Sequence, residues 1–288
     1  MCLTFFYINP FQNKDFPFKY IQAFNREEAY ERNTDPLNFW EDDPNIIGGR
    51  DHKSKGTWLG INIKTGNIAF LTNLPIRFME APPSSFVNLW RGLLVSNFLR
   101  TDFFEKYCDK VDKDMVTDKN EKGAMENYLK EALENIKDYR GFNLVLGNLK
   151  TSEFWFLGNE KIDTKPSELK EGFHMMTNFP FPKMLETVEP PFMLFKELVQ
   201  KSDFSTNEKK NLMIEETKKI MKSCNRKPFP GSIFSLNEKG EKVESIEMFG
   251  TKTATLILVS QENKLEMIEL TYDEESNVKN QVEKEIQL

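Results

Sequence analysis

The sequence predicts a layered α+β protein, because strand-like segments come in pairs near the start, helical periodicity takes over in two later stretches, and a further strand pair follows. Its 288 residues are 39% hydrophobic and include 25 Phe, ample material for a sizeable core. No internal repeat or linker forces a boundary. Residues 1–272 therefore read as one domain, and the charged residues 273–288 as a frayed or weakly helical tail.

The apolar run at residues 1–8 reads as a buried first strand and residues 18–24 as a second, ended by the charged Asn25-Arg26-Glu27-Glu28. Residues 31–56 carry Pro36, Pro44 and Gly48-Gly49 and read as a long irregular loop. Residues 57–64 and 67–72, joined by Thr65-Gly66, predict a hairpin. Leu89, Leu93, Leu94 and Phe98 recur at helical intervals, as do Tyr128, Leu129, Ala132, Leu133 and Ile136. The charged residues 109–122 between them read as a solvated loop. Residues 141–149 and 153–157 predict a second hairpin, and 192–199 and 208–221 two more helices. The second of these helices is preceded by Ser205-Thr206-Asn207-Glu208, whose spacing suits a capping box. Residues 251–259 and 265–272 predict the last hairpin.

Charge and composition exclude several classes. A net charge of −6 without a Lys/Arg cluster argues against nucleic acid, and no apolar run is long enough for a membrane-spanning helix. The start lacks the basic region of a secretory signal and the arginines of a mitochondrial presequence. Cys2, Cys108 and Cys224 are too scattered for a disulfide framework or a CxxC metal site, which points to a reducing compartment. A cytoplasmic protein, free or associated with mitochondria or Golgi, is the expectation.

Several short segments occur in a telling order: Met1-Cys2, Asn25-Arg26-Glu27-Glu28, Gly48-Gly49-Arg50-Asp51, Gly56-Thr57-Trp58-Leu59-Gly60, Leu71-Thr72-Asn73, Gly141-Phe142-Asn143-Leu144, Thr177-Asn178 and Gly250-Thr251-Lys252-Thr253-Ala254-Thr255. Together they resemble the NRDE family, whose eukaryotic members are called transport and Golgi organisation protein 2 homologues. The resemblance implies an N-terminal-nucleophile hydrolase-like fold, a four-layer αββα sandwich of two antiparallel sheets between helical layers, with Cys2 exposed by removal of Met1. It also implies handling of a small amphipathic ligand, with roles in haem trafficking, lipid and acyl-CoA homeostasis, and Golgi organisation. The chain departs from the family at Glu27, Met175 and Lys252, where Asp, Gly and Arg are usual.

A terminal Cys2 carries a nucleophile and a base on one residue, since the free α-amine accepts a proton near neutral pH. No histidine is then needed, which suits a chain with only His52 and His174, and hydrolysis at Cys2 requires no cofactor. A guanidinium beside the thiol favours thiolate; by resemblance to choloylglycine and penicillin acylase enzymes that role falls to Arg26, with Glu27 as its acidic companion. By family position, Asn73 and Asn178 are candidates to stabilise an oxyanion, and Lys252 replaces an arginine's charge without its fork. The plainer alternatives are a strand-end salt-bridge cluster at Arg26, turn hydrogen bonds at Asn73 and Asn178, and a core Trp58. His174 and Cys108 carry little signal as haem ligands. Three functions compete: a carrier of haem or another amphipathic ligand at Cys2, a cysteine amidohydrolase or thioesterase on a small acyl substrate, and a Golgi-trafficking interaction protein contacting partners through residues 109–122 or the tail.

Overall fold

The computed structural model describes residues 2–9, 16–80, 89–103, 106, 118–161, 163–183, 185–225, 229–236 and 242–288. Strands β1 (Leu3–Ile8) and β2 (Phe18–Ala29) are apolar on both faces. Phe6, Ile8, Tyr20 and Phe24 join one buried cluster, while Leu3, Phe5, Ile21 and Ala23 join another. Successive side chains of a strand point to opposite faces, so this sheet must be covered on both.

The first sheet runs β10 (Gly172–Thr177), β1, β2, β12 (Lys242–Ser260), β13 (Lys264–Tyr272), β14 (Val278–Gln287), with β11 (Phe229–Leu236) paired to the early part of β12. The second runs β3 (Thr34–Trp40), β4 (Asp43–Asp51), β5 (Leu59–Asn62), β6 (Asn67–Asn73), β7 (Phe142–Asn148), β8 (Glu153–Gly158), β9 (Ser167–Glu168). Among the described residues, all the strand pairings are antiparallel.

Helices α1 (Gly92–Leu99) and α2 (Asp118–Glu134) set Leu94, Phe98 and Leu129 against Ala69, Leu71 and Leu144 of the second sheet. Helices α3 (Glu189–Lys201) and α4 (Asn207–Ser223) set Phe192, Phe195 and Met213 against Phe5, Ile21 and Leu256 of the first. The inner faces meet in a third cluster, where Phe6 lies edge-on to Phe70 at 5.3 Å and Tyr20 stacks on Phe154 at 5.1 Å. The molecule is thus α+β, with two antiparallel sheets packed face to face and helices against their outer faces, consistent with the expected sandwich.

Four expectations are corrected. Residues 31–56 hold β3 and β4 rather than a loop. Pro36 sits where the β3–β4 register shifts, on an edge strand that needs no donor there. Gly48 and Gly49 serve close packing, since a Cβ on Gly48 would lie 2.6 Å from the Leu59 carbonyl oxygen and one on Gly49 would lie 2.4 Å from the Trp58 ring. Residues 118–122 belong to α2 rather than to a solvated loop, and 109–117, like Cys108, lie outside the described residues. The cap of α4 is Thr206, which accepts a hydrogen bond from the Lys209 amide, one position later than the Ser205–Glu208 box. Residues 278–287 of the charged tail form strand β14, whose pairing with β13 brings Val282 and Ile286 onto the inner core.

Candidate functional site

In β1, Leu3 pairs with Asn25 of β2 on one side and Thr177 of β10 on the other. Carried one residue outward, that register sets Cys2 between Arg26 and Asn178. Cys2 belongs to the cluster between the sheets, is only 6% exposed, and its Sγ lies 3.6 Å from the Glu27 carbonyl oxygen.

Arg26 is held from several directions. Its guanidinium carbon lies 4.0 Å from the centroid of the Trp58 ring, and Nη2 is 3.4 Å from Glu28 Oε2 and 3.6 Å from Asp51 Oδ2. Arg32 Nε also bonds Asp51 and lies 3.8 Å from Glu28. The Ser54 amide and hydroxyl donate to Asp51 Oδ1 at 2.8 and 3.1 Å. Burial alone would push the Asp51 carboxyl up, but the Arg32 and Ser54 donors outweigh it and hold it below the usual carboxylate range. Burial raises the Cys2 thiol, against the pull of the chain's amino terminus, Arg26 and Arg91. The resting site thus favours a protonated thiol beside fixed positive charge.

The carboxylates brought to Arg26 are Glu28 and Asp51. Glu27 meets Cys2 through its backbone carbonyl, and strand alternation turns its side chain to the other face, the one on which Asn25 donates to the Met221 carbonyl of α4 at 2.9 Å. Both sequence readings of Arg26 meet here, since the ion-pair cluster that ties β2 to β4 also lies beside the thiol.

Asn73 is the register partner of Phe142 in the cluster under α1 and α2, so strand alternation turns its side chain to the outer face, away from the thiol and from Asn178. Asn178 is tied in by its neighbours. Thr72 Oγ1 donates to the Thr177 carbonyl at 2.6 Å, and Asn143 Nδ2 donates to the carbonyls of Thr177 and Phe179 at 3.0 and 2.8 Å. These bonds lash the end of β10 to β6 and β7 across the sheets, beside Cys2. Lys252 is the extra residue where the β12–β2 register shifts, and its Nζ donates to the carbonyls of Tyr30 and Arg32 at 3.0 and 2.7 Å. Burial, aided by Arg26, brings its pKa down to about 8. Among the described residues, Arg26 Nη1, Thr253 Oγ1 and Asn178 Oδ1 are buried at this end without a hydrogen-bond partner. Thr253 is the register partner of Arg26, so these atoms flank the thiol between the sheets.

Two members of this site were not singled out as site residues from the sequence. Asp51 stands in the quoted Gly48-Gly49-Arg50-Asp51, whose acid pointed to the role once its strand was known. Arg91 offered no such signal. It is brought in where the Thr57 amide bonds the Gly92 carbonyl at 3.2 Å, a contact in which a Cβ on Gly56 would lie 2.5 Å from Gly92. Met175 pairs with Phe5 and is buried in the cluster under α3 and α4, away from the thiol. His174 stacks on Phe6 at 5.0 Å, with Nε2 2.7 Å from the Lys170 carbonyl oxygen. His52 Nε2 lies 2.6 Å from Asp35 at the surface. Among the described residues, no group of three His, Cys, Asp or Glu could hold a metal ion, and no helix is long and apolar enough to cross a membrane.

A family described as Transport and Golgi organisation 2 matches residues 1–274. The human Transport and Golgi organization protein 2 homolog is 31% identical over 185 residues, which cover 62% of this chain and 57% of that protein. The mouse Transport and Golgi organization 2 homolog is 29% identical over 213 residues, covering 70% and 66% respectively. The chain thus spans less than two thirds of the length of each of these relatives.

Proposed function

Because the chain belongs to the Transport and Golgi organisation 2 family, we propose that it handles a small acyl ligand through Cys2, on an N-terminal-nucleophile hydrolase-like αββα sandwich. The observation that carries this reading is the placing of Cys2 at the head of an inner strand, between Arg26 and Asn178, with unpartnered polar atoms at both neighbours. Buried polar groups are ordinarily satisfied, and such gaps are expected where a ligand completes the set.

Once Met1 is removed, the free amine of Cys2 takes the thiol proton as sulfur attacks the carbonyl carbon of an amide or thioester. The carbonyl electron pair moves onto oxygen. Asn178 is placed to meet that oxyanion if its amide, which can be turned end for end, presents Nδ2. Collapse of the intermediate breaks the bond to the leaving nitrogen or sulfur, which takes the proton back from the amine. The acyl group remains on Sγ, and a water molecule, deprotonated by the same amine, releases it as a carboxylic acid. Arg26 steadies negative charge on sulfur, and Glu28 with Asp51 fixes Arg26.

Incubation with 4-nitrophenyl acetate followed by intact-mass and peptide analysis tests the reading. One added acetyl group on Cys2, absent in Cys2→Ala, supports it. Retention of Met1 in the mature protein, or acetylation indifferent to Cys2→Ala, overturns it.

A further inference from the structure

Beside the Cys2 site lies a concentration of positive charge that the acyl chemistry leaves unused. Leu89 and Tyr139 form a parallel backbone bridge, which carries Trp90 alongside Arg140 and Arg91 alongside Gly141. Arg91 Nη1 accordingly donates to the Gly141 carbonyl at 2.9 Å. Trp90 is 42% exposed, and the Arg32 guanidinium carbon and Lys53 Nζ lie 5.6 and 5.9 Å from its ring centroid.

Of these cations only Arg32 is matched by carboxylates, and it shares Glu28 and Asp51 with Arg26. No carboxylate lies within ion-pair distance of Lys53, Arg91 or Arg140 among the described residues. Burial, aided by the nearby Arg140 and partly offset by Glu28, brings the Arg91 pKa down to about 10. A chain of net charge −6 has nonetheless gathered unpaired cations around one exposed indole, next to its buried thiol.

We propose that Trp90, Arg91, Arg140 and Lys53 form an anion-binding rim, so that the ligand presented to Cys2 is an acyl compound bearing a carboxylate or phosphate. The inference deepens the reading of Cys2 as a nucleophile and rests on it. Guanidinium groups pair with planar oxyanions in bidentate fashion, and the indole offers an apolar face to the chain that joins anion to acyl group. A cleft of one sign also draws in oppositely charged ligands faster, in a salt-dependent way.

The test compares alkylation of Cys2 by iodoacetate, an anion, with that by neutral iodoacetamide, at low ionic strength in the full-length protein. The ratio of the two rates is expected to exceed that of a small free thiol by about tenfold. It should fall toward the free-thiol value in Arg140→Gln and Lys53→Gln, and with added salt in the wild type. Protection by inorganic phosphate at lower concentration than acetate assigns a phosphate, and the reverse a carboxylate. Labelling of Cys2 with a ratio no higher than the free thiol's overturns the rim and leaves the nucleophile standing. Failure of both reagents to label Cys2 overturns the rim and the nucleophile together.

Discussion

The Arg26 guanidinium carbon lies over Trp58, 4.0 Å from the ring centroid, while its Nη2 reaches Glu28 and Asp51. The charge facing Cys2 is therefore fixed by an aromatic surface and two carboxylates from different strands. Replacing Arg26 with Gln leaves Glu28 and Asp51 to share Arg32 alone, and the expected loss is about 1–3 kcal/mol of stability. Arg26→Lys keeps the charge but gives up the stack and the fork. It should lose less stability yet still slow Cys2 alkylation at neutral pH. Urea midpoints and the pH profile of iodoacetamide labelling measure the two effects separately, and a Lys variant with the wild-type profile would contradict this role.

The hairpins around Thr65-Gly66 and residues 149–152 and 261–264 were legible because their turn signals and alternation are local. The strands β3 and β4 were not, since Pro36, Gly48 and Gly49 read as loop residues until their partners were known. Gly49 must be bare because the Trp58 ring presses on it, a fact that belongs to tertiary structure. In the site, ordered motifs pointed to Cys2, Arg26 and Asn178, and the register of β1 with β2 and β10 sets the three side by side. Which acid faces Arg26 could not be read without the strand's orientation: Glu27 and Glu28 are neighbours in sequence but point to opposite faces. Arg91 arrives through a backbone contact between Thr57 and Gly92, which leaves no mark on composition or periodicity.

Asn143 is a positioning residue for the Cys2 site. It is 1% exposed and its amide ties two carbonyls flanking Asn178. Asn143→Ala leaves those carbonyls short of donors and should cost about 2 kcal/mol. Because the strap holds Asn178 beside Cys2, acylation of Cys2 should slow by more than the iodoacetamide rate does. A stability loss in which both rates fall equally would mark Asn143 as structural only.

Glu269 gives the fold a pH dependence of defined sign. It is 2% exposed, accepts from the Leu37 amide of β3 at 2.7 Å and from Thr255 Oγ1 at 3.1 Å, and so joins the two sheets. Burial raises its pKa despite those donors. The folded state therefore holds a proton that the unfolded chain releases, and stability falls as pH rises from the ordinary value of 4.5 toward the folded one. Glu269→Gln keeps an acceptor for Leu37 without the ionisation. Its stability relative to wild type should increase across that window, whereas Glu269→Ala should cost about 1–3 kcal/mol throughout. Denaturation at a series of pH values distinguishes these outcomes, and a wild-type minus Gln difference that is flat with pH would refute the assignment.

The end of the chain is structural in a way its composition hides. β14 alternates charged residues on one side with Val282 and Ile286 on the other; these two and Leu288 pack on the inner core, and Lys264 Nζ pairs with Glu285 at 2.7 Å. Charge on an edge strand discourages pairing with other chains, which explains why this segment reads as a solvated tail. Deleting residues 278–288 removes three part-buried apolar side chains at ~1 kcal/mol each and bares the β13 edge. The shortened protein should unfold at lower urea and lose solubility, although Cys2 lies at the other side of β2 and β12 from the cut. Intact stability after the deletion would return the segment to the status of a tail, and would leave the pairing of β13 with β14 without thermodynamic weight.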